Sequence, residues 1–243
     1  MTDMEPTAGP PRSRPGRAGP RAYDRAVSRK RTATARQDGR SAKSAATRER
    51  ILDAAAHVLS RKGYSATRLG DVADQAQLQA PAIYYYFDSR EELIEEVMTV
   101  GIQRLRRHVE EVLEELPDDA TPLERISVAV EAHLQIALSL SDFATAVIRN
   151  SGQMPEEMRT RQLAEEAQYG AIWTRLIRDA SEAGQIRPDL DLRIAHRLII
   201  GALNWSAEWW NPRRDSLDVV VRTAQSMVLH GLSGEMRSDK AEA

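Results

Sequence analysis

Between Thr47 and Val97 the apolar positions fall into three helical runs. Ile51, Leu52, Ala55, Val58 and Leu59 recur at helical spacing, and Gly63 ends that run just after Arg61 and Lys62, two cations suited to a helix C-terminus. Leu69, Val72, Ala73 and Ala76 give a short second segment its apolar face. Leu78, Ala82, Ile83 and Tyr86 do the same for a third, with only a few residues to turn between them. Segments this short bury too little surface alone, so the spacing predicts that they pack on the first helix as a three-helix unit. In that helix-turn-helix geometry the second short helix is free to enter a DNA major groove.

The helical period continues downstream. Ser89 followed by Glu92 predicts a capping box that opens a helix to about Leu116, with Leu93, Val97, Val100, Leu105, Val109, Val112 and Leu116 as its buried stripe. After the break at Pro117–Pro122, Thr121 and Glu124 predict a second capped helix to about Leu140. Asp142 is expected to cap a shorter helix to about Asn150, and Pro155 to begin a long one to about Ala183, ended by Gly184. Two more helices are expected, from about Leu192 to Trp210 and from about Asp215 to Leu232. No useful strand alternation occurs. The fold expected is therefore all-α, with an N-terminal helix-turn-helix domain over 47–92 and a C-terminal helical ligand-binding and dimerisation bundle over 93–233.

The ordered set Ile51, Ala54, Ala55, Gly63, Thr67, Asp71, Val72, Ala73, Ala76, Leu78, Ile83, Tyr84, Phe87, Ser89, Glu92 and Leu93 resembles the N-terminal domain of TetR-family transcriptional regulators. The resemblance implies that Thr67, Tyr84 and Arg90 meet backbone phosphates, which hydroxyls and cations do without reading sequence. Base reading then falls to the exposed side of residues 79–85. Ala80, Pro81 and Ala82 are too short for bidentate bonds but can approach thymine methyl groups, which leaves Gln79, Tyr85 and Arg68 as the longer readers. The chain departs from the family pattern at Gln77, where Gly is usual, at Gln79, where Ser or Thr is usual, and at Gly70 and Tyr86. A left-handed Gln77 would cost about 1 kcal/mol.

Composition narrows the chemistry. The 243 residues include no cysteine, which excludes disulfides, thiolate metal sites and Cys nucleophiles. No long apolar run or secretory signal is present, so a soluble cytoplasmic protein without membrane contact is expected. Eleven Lys and Arg against four Asp and Glu give residues 1–46 a charge of +7, leaving −9 for the rest of a chain whose formal net charge is −2. With five prolines and no apolar period, 1–46 reads as a disordered basic tail, either an arm that tracks phosphates or a passive extension; 234–243 reads as a second tail.

The body carries two further constellations. Leu198, Trp205 and Trp209 on one helix, with Val220 and Met227 on the next, offer more apolar surface than one bundle face needs, and they are assigned to a homodimer interface matching a two-fold operator. Tyr169 and Trp173, four apart, can form an aromatic wall of a cavity lined also by Ile102, Leu105, His133, Ala137 and Val147, with Arg149, Arg159 and Arg161 near its mouth. Arginines at an apolar cavity suit an anionic amphiphile. The run GQIRPDLD followed by ALNWSAEWWNP also resembles the ligand domains of TetR-type regulators of lipid or steroid catabolism, which implies a coenzyme A thioester as effector.

The five histidines make no metal spacing, and no phosphate loop or nucleophile elbow is present, so neither a metal, a cofactor nor an enzymatic activity is expected. The reading is a repressor that binds palindromic double-stranded operator DNA as a dimer and is released by a hydrophobic or acyl-coenzyme-A-like effector. An activator or a ligand-independent DNA-binding protein would share its DNA chemistry. An enzyme on a helical scaffold would need a cluster of titratable groups in the cavity.

Overall fold

The computed structural model of the protein describes residues 42–233, and among them there are helices and no strands. The first helix, α1, covers residues 42–62; α2 is Leu69–Ala76 and α3 is Ala80–Ile83. The start of α1 corrects the expected tail boundary, since residues 42–46 are already helical. Three of those five positions are Ala, the strongest helix former, and they extend the helix beyond the apolar stripe that periodicity can detect. The remainder of the expected tails, 1–41 and 234–243, lies outside the described residues.

Ile51, Leu52, Ala55 and Leu59 of α1 are buried with Val72, Ala73 and Ala76 of α2, Ile83 of α3 and Phe87. Gly63 stops α1 at φ +77°, a left-handed conformation that glycine adopts without a Cβ penalty. Gln77 ends α2 in the same region, at φ 56° and ψ 45°, as the missing family glycine implied. Its backbone N–H reaches Asp74 O at 3.1 Å, and that of Leu78 reaches Ala73 O at 2.9 Å, so the turn satisfies the carbonyls at the end of α2 despite the strained residue.

The long helix α4 is Arg90–Glu114. Ser89 caps it by accepting from the Glu92 N–H at 3.0 Å, while the Glu92 carboxylate accepts from the Asp88 N–H at 2.6 Å, one residue further out than a standard box. Helix α5, Pro122–Gln135, opens with the complete Thr121–Glu124 box and passes into a π-helical turn at Ile136–Leu140. Helix α6 is Asp142–Asn150; its cap is Ser141 and not Asp142, because the Asp142 carboxylate is drawn to the His57 Nδ1 at 2.9 Å and the Ser60 hydroxyl at 3.2 Å on α1. Pro155 begins only a 3-10 turn at Glu156–Met158, and α7 runs from Thr160 to Glu182. Helices α8, Leu192–Trp209, and α9, Leu217–Ser233, complete the bundle.

Helix α4 packs along α5, α6 and α7, most extensively along α6. Gly101 makes that approach possible. A Cβ there would lie 2.7 Å from the backbone oxygen of Phe143 and would also collide with Val147. No described helix is long and apolar enough to cross a membrane.

The Gly101 contact yields a stability prediction. Gly101→Ala gains roughly 1 kcal/mol of helix propensity but must displace backbone, a strain of about 1–3 kcal/mol. The net expected is a lower urea midpoint with an unchanged m-value; an equal or higher midpoint would show that α4 and α6 are not in contact at this glycine.

Candidate functional site

The DNA-facing candidates sit on α2, α3 and the turn that follows. Tyr84 and Tyr85 are 58% and 78% exposed, and Arg68 and Gln79 are exposed beside the half-buried Ala80. Gln79 precedes α3 in an extended conformation with no capping bond from its side chain, so its amide remains available. Tyr85 packs edge-on against Tyr86 with ring centroids 5.0 Å apart, which limits its rotamers.

Two expected phosphate contacts are otherwise engaged. Thr67 is buried, and its hydroxyl donates to Gly63 O at 2.7 Å, where it closes the turn between α1 and α2. Arg90 donates through Nε to Thr67 O at 2.7 Å and through Nη2 to Tyr64 O, meets Glu91 at 2.8 Å, and lies 4.6 Å over the Tyr64 ring. A planar guanidinium satisfies several carbonyls at once, so Arg90 braces the turn.

In the bundle, Ile102, Leu105, Val147, Tyr169 and Trp173 line one cavity of about 340 Å³ with Ile148, Ile200, Asn204 and His196. Its volume lies at the small end of the roughly 300–1,000 Å³ typical of ligand sites. Ser151, Gly152, Arg159 and Glu166 add a polar edge to the lining. There the Gln162 amide donates to Ser151 at 2.9 Å and to Glu166 at 2.6 Å, while Arg159 stands 4.0 Å from Glu166, a loose pair. The Arg159 Nε is buried with no partner among the described residues.

Four of the expected effector contacts are placed differently. His133 is fully buried behind the lining, its Nδ1 2.8 Å from the Tyr169 hydroxyl, and Ala137 is buried outside the lining. Arg149 turns away from the cavity. It donates to Ser60 O on α1 at 3.1 Å and to Ala207 O on α8, and pairs with Glu208 at 3.5 Å, because carbonyls at a helix C-terminus attract a cation. Arg161 pairs with Glu95 at 2.7 Å in solvent. Beside Arg149, the fully buried Asn150 accepts from the Tyr64 N–H at 2.8 Å and donates to Leu59 O at 3.3 Å and Ala146 O at 2.7 Å. Sequence reading missed this asparagine; its only signal was a polar residue ending an apolar helix next to Ser151–Gly152.

Burial lowers the pKa of His133 to about 4 against the weaker opposing effect of the Asn204 side chain, and the same burial raises the Tyr169 phenol above its ordinary value. His196, half-buried on α8, is also lowered, first by burial and then by Arg197. The cavity wall is therefore uncharged at neutral pH where His133 and Tyr169 meet.

A second concavity, of about 450 Å³, lies between α8 and α9 and is lined by Trp205, Trp209, Val220 and Met227 among others. Trp205 is 66% and Met227 72% exposed, and Leu198 and Trp209 are exposed on α8, while Val220 forms the buried floor. This groove is formed mainly by α8 and α9, whereas the smaller cavity is bordered by α4, α6, α7 and α8.

The profile described as "Bacterial regulatory proteins, tetR family" matches residues 51–97, and "Tetracyclin repressor-like, C-terminal domain" matches 119–232. The chain belongs to the TetR family. This TetR-family chain is 25% identical over 192 residues to the HTH-type transcriptional repressor KstR2 of Rhodococcus jostii (strain RHA1), covering 76% of the chain and 91% of that relative. The crystal structure of the TetR family transcriptional regulator PfmR from Thermus thermophilus superposes with a TM-score of 0.64 at 29% identity, covering 76% of this chain and 96% of that one. AibR, solved in complex with isovaleryl coenzyme A and operator DNA, gives a TM-score of 0.68 at 21% identity over 77% of this chain and 98% of its own, a likeness of fold. The protein is thus a TetR-family DNA-binding transcriptional regulator, which agrees with the resemblance carried by residues 51–93.

The buried histidine sets a pH dependence. An imidazole held near 4 in the folded protein and near 6.5 unfolded leaves stability intact above pH 6.5 and removes it as pH falls through the window from 6.5 to about 4. The loss across that window is about 3 kcal/mol. In urea titrations at pH 7 and pH 4.5, His133→Asn should lose less stability on acidification than the parent; an identical loss would show that His133 charges freely in the fold.

Proposed function

We propose that this TetR-family regulator is a repressor that binds a two-fold operator as a homodimer and releases it when an acyl-coenzyme-A-like molecule enters the cavity of each subunit. One observation carries the reading: the end of α6 serves two sites at once. Val147, Ile148, Ser151 and Gly152 line the cavity, and between them Arg149 and Asn150 hold the C-terminal end of α1. A ligand that moves this segment must change the seat of the DNA-binding domain. Release requires that it bind the DNA-incompetent conformation more tightly, since equal affinity for both would shift nothing.

The roles follow from the placements. Gln79, Tyr85 and Arg68 read bases, Ala80 meets a thymine methyl, and Tyr84 donates to a phosphate. Thr67 and Arg90 act by holding the turn that orients them. Arg159, with its unpaired Nε and distant Glu166, receives the anionic end of the effector, while the apolar lining takes the acyl end. AibR, which shares this fold, was solved with isovaleryl coenzyme A, a short acyl thioester, and the 340 Å³ cavity suits a compact acyl group. The exposed aromatic and Met face of α8 and α9 pairs with the same face of a second copy, as a self-complementary apolar patch does in a two-fold dimer.

Fluorescence anisotropy on DNA from the protein's own upstream region tests the effector. Titration with short acyl and steroid coenzyme A thioesters should displace the DNA, whereas the free acids should not; displacement by neither, with tight DNA binding retained, would overturn the thioester reading. Sedimentation tests the interface: Trp209→Arg should give monomers at micromolar concentration, and an intact dimer would move the interface off this groove.

A further inference from the structure

Inside the cavity wall lies a group of polar atoms that the reading above does not use. Trp173 and His133 are both fully buried, and Trp173 Nε1 and His133 Nε2 have no hydrogen-bond partner among the described residues. The His133 ring stacks near Tyr169 at 6.1 Å and stands edge-on to Trp173 at 6.4 Å between centroids, so the three form one cluster. Tyr169, Trp173 and Asn204 border the cavity directly.

The donors in this cluster exceed its internal needs. An indole nitrogen only donates, and a neutral imidazole has one N–H and one acceptor nitrogen. The 2.8 Å contact between His133 Nδ1 and the Tyr169 hydroxyl uses one donor. If the hydroxyl donates, His133 keeps a free Nε2–H; if Nδ1–H donates, the hydroxyl proton is left free. The Asn204 side chain approaches His133 and the Tyr169 oxygen approaches Trp173, but neither approach completes a hydrogen bond, so His133 Nε2 and Trp173 Nε1 stand unpartnered among the described residues. A buried polar group in this state destabilises the fold, and the cavity beside it is where an acceptor can arrive.

We propose that the cluster of Trp173, Tyr169 and His133 is a carbonyl-recognition subsite: the effector brings a carbonyl oxygen into the cavity, and its two lone pairs accept from Trp173 Nε1 and from the Tyr169 hydroxyl, which His133 frees by donating to it through Nδ1. The inference rests on the cavity being the effector site. Two sources supply the same chemistry, the carbonyl of a thioester or a ketone further along the acyl or ring portion. A purely hydrocarbon occupant would leave both donors unmet, so the subsite selects oxygenated ligands over alkyl ones of equal size.

Calorimetric titration of the full chain with three coenzyme A derivatives of equal chain length tests this: hexanoyl coenzyme A, its thioether S-hexyl coenzyme A, and an S-hexyl thioether carrying a mid-chain ketone. The parent protein should bind one or both carbonyl compounds about tenfold more tightly than the plain thioether. Preference for hexanoyl coenzyme A assigns the thioester carbonyl, and preference for the ketone assigns a chain carbonyl. In Tyr169→Phe, which removes a single oxygen, and in Trp173→Phe, that preference should fall to within about twofold. Should a variant fail to fold by circular dichroism, the comparison of the three ligands on the parent decides alone. Equal binding of all three by the parent overturns the subsite and leaves the effector cavity standing, whereas no binding by any of them overturns both.

Discussion

The molecule depends on how the end of α1 is held. A helix leaves its last carbonyls and the N–H groups beyond it without intrahelical partners; at the end of α1 the Leu59 carbonyl still takes the Gly63 N–H at 3.0 Å, while the Ser60 carbonyl and the Tyr64 N–H turn to α6. Asn150 resolves this with one amide: its Nδ2 serves Leu59 O and Ala146 O, and its Oδ1 takes the Tyr64 N–H just beyond Gly63. Arg149 serves Ser60 O. Two adjacent residues therefore tie the exit of α1 to the exit of α6. Leaving several buried polar groups unpaired would cost about 1–3 kcal/mol each, so the two ends are strongly disposed to move together.

The same logic of satisfied carbonyls organises the DNA-facing end. Arg90 at the start of α4 spends its guanidinium on Thr67 O and Tyr64 O, and Thr67 returns its hydroxyl to Gly63 O. The turn between α1 and α2 is thereby fixed from α4 on one side and from α6 on the other. Gly101 lets α4 and α6 approach within backbone contact, so the two helices that hold this turn are themselves closely packed.

The cavity joins this frame through its walls, and the uncharged cluster of His133, Tyr169 and Trp173 gives it a polar interior. Burial keeps the imidazole neutral, which lets one ring nitrogen act as a donor or an acceptor without the cost of a buried charge. Arg159, at the polar edge, is the cation left loosely paired. Apolar walls, a neutral polar point beside them and a cation at the edge give the cavity two chemically different ends.

The sequence by itself determined the helices, because apolar residues at 3.6 spacing, the Thr121–Glu124 and Ser89 caps and the Gly63 and Gly184 stops act within a few residues of chain. It also made the DNA-binding unit legible, since a resemblance spread over Ile51 to Leu93 preserves local order. Long-range partners were a different matter. That Arg90 and Arg149 face carbonyls, that Asp142 leaves its cap to Ser141 for a histidine on α1, and that His133 stands behind Tyr169 all depend on which helices become neighbours. A side chain several ångströms long can satisfy any of several partners within reach, so its sequence position sets what it can donate, and only the packing of the bundle decides to whom.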